Sequence, residues 1–277
     1  RIRYTLAAGL AADIAGIAPD FPTTIKAFLE AGETARAVFD GIGEGDGAAI
    51  PLSRVTLHAP IPDPEKYLAI GLNYADHGAE AAKLGMATPE FQIWFNKQVS
   101  CITGPYSDVV APKVFDKVDY EGELAVVIGR TCRNVPADEA RAVIAGYMVA
   151  NDVSARDWQF RTTTITLGKS FDTHGPTGPW LTLASEIEDP HRLGLRTYVN
   201  GARRQDSDTS HLIHDIYEQI AYLSQVMTLK PGDILATGTP AGVGVALDPQ
   251  VFLKPGDVVR VEIDGLGHIE NRIVGEA

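Results

Sequence analysis

Short apolar runs separated by turns constrain the fold of this 277-residue chain more than any other feature. Such runs, rich in β-branched residues, are typical of strands that bury at least one face. The 27 glycines and 17 prolines supply turns between them. Few helical patterns interrupt the runs, and they do not follow the strand–helix rhythm of a parallel sheet. A mixed α+β, β-rich sandwich or roll is therefore predicted. The candidate strands are Tyr67–Gly71, Leu124–Ile128, Tyr147–Asn151, Leu195–Val199, Ile234–Ala236 and Val258–Ile263.

Three segments carry helical patterns, and one linker divides the chain. A capped helix is predicted over Phe21–Glu30, a second over residues 136–145, which begin with a proline, and a third over residues 211–227, where apolar residues recur at helical spacing. Ile61–Pro64 is typical of a linker. We therefore predict a small variable N-terminal domain at residues 1–60 and a main domain at residues 61–277. Lys-Pro-Gly-Asp at 230–233 and again at 254–257 predicts two turns that each begin a strand.

Charge and cysteine content limit the classes of partner. The chain has 24 basic and 36 acidic residues, a net charge of −12, which argues against nucleic acid or an anionic membrane as a partner. A small anionic substrate would then need a local positive site, such as a metal ion. Cys101 and Cys132 fit reduced thiols of a cytoplasmic protein better than a disulfide framework. No run of 18 apolar residues is present, so no transmembrane helix is expected.

Three carboxylates are the strongest candidates for chemistry. Glu121 and Glu123 stand at the end of a predicted buried strand, and residues two apart on a strand point to the same face. Two carboxylates side by side repel each other unless a cation lies between them. Asp152 follows another apolar run, so an oxygen-only site is predicted, which suits Mg²⁺, Mn²⁺ or Ca²⁺ better than Zn²⁺. The alternative is that the glutamates are surface charges paired with lysine or arginine.

Arg156 and Gln159 follow Asp152 at spacings of four and three. If residues 154–160 form a helical turn, all three side chains face one way, so a metal ligand would lie beside a cation and an amide. The alternative is an exposed Asp152–Arg156 ion pair, which would contribute little.

Three further motifs are weaker when taken singly. His77 and Glu80 would be neighbours on a helix, and a carboxylate beside an imidazole raises its basicity, as a general base requires. Lys169, between glycine and apolar residues, could stabilise a developing oxyanion. Thr237–Gly244 follows a predicted strand, and its glycines allow backbone N–H groups to approach an anion. Each also has an ordinary alternative, as solvated surface residues or a plain turn.

Taken together, the motifs resemble the fumarylacetoacetate hydrolase family over residues 60–275. The first 60 residues resemble the family's small variable domain only loosely and lack its opening strands. The motifs, in the family's order, are Gly71–Tyr74 with His77 and Glu80, Asp119–Glu123, Asn151–Asp157, Gly168–Asp172 and Thr237–Gly244.

The resemblance implies a mixed β-sandwich roll, usually a homodimer, and a role for each matching residue. Glu121, Glu123 and Asp152 match the carboxylates that hold Mg²⁺ or Mn²⁺. His77 and Glu80 match a dyad on a mobile lid that activates water, and Lys169 matches the lysine that steadies the charge on the substrate oxygen. The matches around the substrate are Arg156, Gln159, Lys97 and, in the loop that holds its carboxylate, Gly238 and Thr239. Gln98 and Val99 depart from the Pro-Ser that often follows the family's lysine.

The activity that the resemblance implies is metal-dependent hydrolysis of a C–C bond. The substrate would be a small anionic 2,4-diketo acid of acylpyruvate type, and the products pyruvate, or a substituted pyruvate, and a carboxylic acid. The presence of both His77 and Glu80 favours hydrolysis, because the related reactions need no activated water. The alternatives are decarboxylation of oxaloacetate, isomerisation or hydration of an unsaturated oxo acid from aromatic breakdown, and a non-catalytic ligand-binding homologue.

Overall fold

The computed structural model describes residues 2–5, 10–13, 20–41, 49–76 and 89–277. Its α-helices are α1 (Ile25–Glu30), α2 (Gly32–Asp40), α3 (Arg156–Gln159) and α4 (Ile216–Val226). Its strands are β1 (Ile2–Thr5), β2 (Leu10–Asp13), β3 (Ala49–Pro51), β4 (Tyr67–Gly71), β5 (Ile93–Lys97), β6 (Ile102–Thr103), β7 (Val109–Ala111), β8 (Val118–Asp119), β9 (Gly122–Ile128), β10 (Ile144–Asn151), β11 (Ser154–Ala155), β12 (Gly175–Leu183), β13 (Gly194–Val199), β14 (Ala202–Asp208), β15 (Ile234–Ala236), β16 (Val258–Ile263) and β17 (Gly267–Gly275). Short 3₁₀ helices cover Leu52–Arg54, Val99–Cys101, Ala137–Val143, Thr166–Lys169, Ala184–Glu186, Thr209–His211 and Gly244–Ala246.

Two large mixed sheets form the body. The seven-stranded sheet has the order β5-β4-β15-β9-β10-β12-β6, and the five-stranded sheet has the order β14-β13-β16-β17-β7. Strands β9, β10 and β12 pack against β13, β16 and β17, so the sheets face each other across the main core. Leu124 and Val126 of β9 lie in that core, whereas Ala125 and Val127 lie in a second core on the other face. Burial of both faces explains why this strand is continuously apolar. The predicted β-rich sandwich or roll is confirmed.

All six predicted strands are present, but one predicted helix is wrong. Residues 137–143 form a 3₁₀ helix, and β10 begins at Ile144. β10 pairs antiparallel with both β9 and β12, so sheet pairing outweighs the helical signals at the start of the segment. The third predicted helix is confirmed as α4, although it begins only at Ile216. Its N-cap Asp215 forms a capping box with Glu218.

The N-terminal segment contains strands that the sequence did not predict. β1, β2 and β3 form a three-stranded antiparallel sheet, so the expectation that opening strands are missing is wrong. The Ala-rich composition of β2 carries little β-propensity and hides this pairing. Helix α1 packs Ile25 and Leu29 against the second core of the body, and Lys26 Nζ donates to the Asp63 carbonyl at 3.0 Å. The domain boundary at residue 60 stays a prediction.

The sequence predicts reduced cysteines and no transmembrane helix, and both expectations can be compared with the described ranges. Cys101 and Cys132 are both free thiols and both buried. None of the helices in these ranges is long and apolar enough to cross a membrane.

Candidate functional site

The pairing of β9 with β10 brings three carboxylates together. Glu121 directly precedes β9, and Glu123 is its second residue. Asp152 directly follows β10, and its backbone N–H donates to the Glu121 carbonyl at 2.9 Å. One carboxylate oxygen from each residue lies within 4.8 Å of the other two, and all three residues are buried. This cluster, the acidic trio of Glu121, Glu123 and Asp152, is therefore not a set of surface charges.

Three buried cations surround two members of the trio. Lys169 Nζ lies 2.6 Å from Glu121 Oε2 and 2.8 Å from Asp152 Oδ2. Arg156 Nη1 lies 2.7 Å from Glu121 Oε1, and Lys97 Nζ lies 2.5 Å from Asp152 Oδ1. Glu121 and Asp152 therefore have charged partners for both of their oxygens.

Glu123 is the member of the trio without such a partner. Its Oε2 accepts a hydrogen bond from the Gly238 backbone N–H at 2.8 Å, but within the described ranges no lysine or arginine forms an ion pair with it. Burial, reinforced by the Asp152 and Glu121 carboxylates, raises the pKa of Glu123 well above its usual value. A hard divalent cation among the three carboxylates would supply the missing counter-charge, so these residues fit Mg²⁺ or Mn²⁺.

A second layer of hydrogen bonds holds Arg156. The predicted helical turn is present as α3, but Arg156 pairs with Glu121 and Asp119 rather than with Asp152. Asp119 Oδ2 accepts from Arg156 Nε at 2.8 Å, and Gln159 Oε1 accepts from Arg156 Nη1 at 2.8 Å. Asp119 also accepts from the backbone N–H groups of Gly244 and Val245. It therefore ties the loop after β15 to the acidic trio.

A cavity of about 260 Å³ opens above this cluster. Glu121, Glu123, Lys169, Arg156, Gln159 and Thr239 line its polar part. The rest of the lining is largely apolar and includes Ile70, Ile93, Phe95, Phe160, Ile165 and Val245. A small acid could bind with its polar end at the trio and its other end against these walls.

Three predicted substrate contacts have protein partners. Lys97 is buried behind the trio and is not among the cavity-lining residues, and its ammonium also donates to the carbonyls of Lys169 and His174. Thr239 lines the cavity, but its hydroxyl donates to the Gly122 carbonyl at 2.9 Å. The Gly238 N–H is directed to Glu123. Their contacts with substrate stay predictions. His77 and Glu80 lie outside the described residues.

Sequence reasoning assigned no role to Asp119 or Asn73. Asn73 is fully buried and donates to the carbonyls of His214 and Thr237, which fixes the segment leading into the loop after β15. The available signal was position, because Asp119 and Asn73 both stand inside the quoted motifs, within five residues of predicted strands. Their partners are distant in sequence, which is why the pattern alone did not reveal them.

The fold and the site together define a class of protein, a mixed β-roll that carries a buried trio of carboxylates. Comparison with known families then identifies the particular family. The family described as fumarylacetoacetate (FAA) hydrolase C-terminal matches residues 66–274. The chain therefore belongs to the fumarylacetoacetate hydrolase family, as its motifs predicted.

Three relatives connect the chain to named enzymes. "Oxaloacetate tautomerase Fahd2a, mitochondrial" of Rattus norvegicus is 45% identical over 92% of this chain and 81% of its own length. The maleylpyruvate hydrolase of Sphingobium sp. SYK-6, solved with manganese(II) and pyruvate, has 33% identity and a TM-score of 0.84 over 100% of this chain and 96% of its own. The 5-carboxymethyl-2-hydroxymuconate delta-isomerase of Mycobacterium smegmatis has 42% identity and a TM-score of 0.73 over 83% and 86% of the two chains.

The names of two of these relatives specify oxaloacetate and maleylpyruvate, and one was solved with manganese(II), but the three together do not single out hydrolysis. The rat relative is named as mitochondrial, so a cytoplasmic location for this chain stays a prediction, as does the homodimer.

Proposed function

We propose that the protein interconverts the enol and keto forms of oxaloacetate, or of a close 2-oxo acid, in a reaction that depends on Mg²⁺ or Mn²⁺. Decarboxylation of oxaloacetate, an alternative reading of the sequence, proceeds through the same enolate and is the nearest related activity. The rat relative named as an oxaloacetate tautomerase and the muconate isomerase support isomerisation over the hydrolysis that was first expected.

One observation carries the proposal: Glu121, Glu123 and Lys169 line a single cavity, and Asp152, buried next to them, lies 2.8 Å from the Lys169 ammonium. Glu121, Glu123 and Asp152 would hold the divalent cation, which when bound polarises the 2-oxo acid and stabilises its enolate. The trio's burial keeps competing water away from the ligand oxygens, which strengthens electrostatic interactions there.

Lys169 is the residue best placed to act on the substrate oxygen. Two of its three N–H bonds are directed to Glu121 and Asp152. In the part of the chain that the structure describes, the third has no hydrogen-bond partner, and Lys169 lines the cavity. A preorganised ammonium donor at the oxygen that gains negative charge lowers the barrier to enolisation. Because its two carboxylate contacts fix the side chain, little reorganisation is needed when the charge develops.

Gln159 is suited to orient the substrate. Its Oε1 accepts from Arg156 at 2.8 Å, which fixes the side-chain amide at the cavity wall. Its Nε2 donates to no other described residue, so it can donate to a substrate carboxylate or keto oxygen.

Hydrolysis of a C–C bond remains the second candidate. The observation in its favour is the 33% identity, over the whole chain, with a maleylpyruvate hydrolase that was solved with manganese and pyruvate. It also requires a base to activate water, for which the sequence offers His77 and Glu80, outside the described residues.

The test separates these reactions in one set of assays with the manganese-loaded protein. Loss of the ultraviolet absorbance of enol-oxaloacetate reports isomerisation, pyruvate release from oxaloacetate reports decarboxylation, and pyruvate release from acylpyruvates reports hydrolysis. We expect the first rate to exceed the other two. Lys169→Met should reduce it by roughly 10²–10³-fold, whereas Lys230→Met, which removes a surface lysine paired with Glu65, should not. Isomerisation no faster than with manganese alone refutes the proposal, and turnover of none of the substrates favours the non-catalytic alternative.

A further inference from the structure

We propose that the same cavity also takes 2-oxo acids that carry one negative charge and an apolar substituent on C3, such as arylpyruvates. The chain would catalyse the same proton shift on them: the enol O–H proton leaves the oxygen, a proton is added at C3, the C2=C3 double bond becomes a single bond and the C2–O bond becomes the C=O bond. No oxidant, reductant or co-reactant is needed. This inference rests on the proposed enol–keto chemistry and extends its substrate class.

The apolar side chains that line the cavity carry the first part of the argument. Ile93 and Phe160, at 42% and 61% exposure, present apolar surface at the cavity. Ile70, Ile165 and Val245, which are less exposed, add to the apolar lining. The C3 end of a substrate whose carboxylate and oxo group lie at the trio would face these side chains. An apolar substituent gains free energy from burial there, and a second carboxylate does not.

Backbone strain marks the same walls. Leu72 and Ile165 both line the cavity with positive φ angles, 56° and 50°. Such angles are unfavourable for residues other than glycine, and most of all for a β-branched residue such as isoleucine. Strain of this kind persists where the surrounding structure enforces it, and it clusters at ligand-binding sites. The position of Ile165 on the apolar wall is therefore held by its surroundings.

The formal charge of the site carries the second part of the argument. Four buried carboxylates, those of the trio and of Asp119, face three buried cations, Lys97, Lys169 and Arg156. The protein's own sum is −1, and a divalent cation would make it +1. A monoanionic acid brings the site to neutrality, whereas a dianion such as oxaloacetate leaves it at −1. A buried uncompensated charge is costly, so the monoanion is electrostatically the better match.

The cavity's cations are already paired with protein carboxylates, and the remaining N–H of Lys169 is assigned to the substrate's oxo oxygen. Among its described lining residues the cationic side chains are Lys169 and Arg156. Lys169 already pairs with Glu121 and Asp152, and Arg156 with Asp119 and Glu121. A substrate carboxylate beyond the metal-proximal end would have to compete with these pairs.

The experiment compares two enols and two inert analogues on the manganese-loaded protein. Enol–keto conversion is followed for phenylpyruvate and for oxaloacetate, and calorimetry measures the binding of 3-phenyllactate and of malate, which cannot enolise. We expect catalysed conversion of phenylpyruvate, with kcat/KM within about tenfold of that for oxaloacetate. We also expect 3-phenyllactate to bind more tightly than malate.

Two substitutions that introduce a lysine test whether the apolar cavity wall causes the preference for an apolar substituent. Phe160→Lys replaces an apolar cavity residue with a cation and should lower the phenylpyruvate-to-oxaloacetate ratio of kcat/KM by roughly 10- to 100-fold. Leu167→Lys is the matched control, because Leu167 is 55% exposed and does not line the cavity. It adds the same charge nearby and should leave that ratio unchanged.

The outcomes separate this inference from the proposed function. If oxaloacetate is converted but phenylpyruvate is not, the inference fails and the proposed function stands. If Phe160→Lys leaves the ratio unchanged, or malate binds more tightly than 3-phenyllactate, the assignment of the apolar wall is overturned. If neither enol is converted, the proposed function fails and this extension fails with it.

Discussion

Lys97→Met removes a buried cation and should strongly destabilise the metal-free protein. The Lys97 ammonium contacts Asp152 Oδ1 at 2.5 Å, the His174 carbonyl at 3.1 Å and the Lys169 carbonyl, and its side chain has no solvent exposure. Burial by itself lowers the pKa of Lys97, but the Asp152 carboxylate outweighs that effect and the pKa is raised. The ammonium is therefore charged in the folded protein, and methionine replaces its volume but not its charge.

The size of the expected loss in stability follows from the groups that Lys97→Met leaves unpaired. Asp152 keeps Lys169 at 2.8 Å but loses its second cation, and two carbonyls lose a donor. Breaking a buried ion pair from one side costs about 3–5 kcal/mol, and we expect the loss in the free energy of unfolding to fall in that range. Manganese should reduce the loss, because a cation at the trio restores counter-charge to Asp152.

Lys66→Met is the matched control. Lys66 Nζ pairs with the buried Asp233 at 2.9 Å, but its own side chain is 22% exposed. Asp233 would still accept from the backbone N–H groups of Lys66 and Lys230, so the expected loss is only about 1–2 kcal/mol. Urea unfolding with EDTA, and again with manganese, measures both variants. A loss for Lys97→Met no larger than that for Lys66→Met would refute the reasoning.

Three further predictions concern the site and its surroundings. Burial lowers the pKa of His174 from its usual 6.5 to about 3, so the stability that depends on its neutral form is fully present above pH 6.5 and is lost as the pH falls. Between pH 8 and pH 5 the free energy of unfolding of wild type should fall by about 2 kcal/mol, and that of His174→Gln by much less, as measured by urea unfolding at each pH. Gly238→Ala places a Cβ 2.9 Å from Asn73 Cβ at a φ of +101°, and should cost about 1–3 kcal/mol and weaken manganese binding; unchanged unfolding and titration curves would contradict this. Glu123→Gln should abolish manganese binding yet leave the metal-free protein at least as stable as wild type at pH 8, since Glu123 deprotonates unfavourably when buried; a lower melting temperature in EDTA would count against it.

The sheet was predictable because its signals are local. β4, β15 and β16 have the predicted bounds, since an apolar run between turns leaves little choice of end. Both Lys-Pro-Gly-Asp segments are the predicted turns, and in each the aspartate side chain accepts from the lysine backbone N–H, at 2.8 and 2.7 Å. The spacing of Glu121 and Glu123 predicted one shared face for the same reason.

Other features depend on contacts that no local pattern contains. The 3₁₀ segment before β10 carries the same proline and acidic residues that begin an α-helix, and only pairing with neighbouring strands decides against it. Lys97 reaches Asp152 across 55 residues, and Arg156 reaches Asp119 across 37. The sequence therefore identified the trio, but not which cations compensate its charge or that Lys97 lies behind it.

Exchange of the C3 protons of oxaloacetate in D₂O tests the central claim most directly. Enolisation replaces these protons with deuterium whether or not a C–C bond is later broken, and nuclear magnetic resonance follows it. The account predicts that manganese-loaded wild type accelerates the exchange well beyond the same concentration of manganese alone. It also predicts that Glu123→Gln does not. Exchange at the manganese-only rate, with manganese bound to the protein, would contradict the claim that this acidic trio and Lys169 form an enolising site.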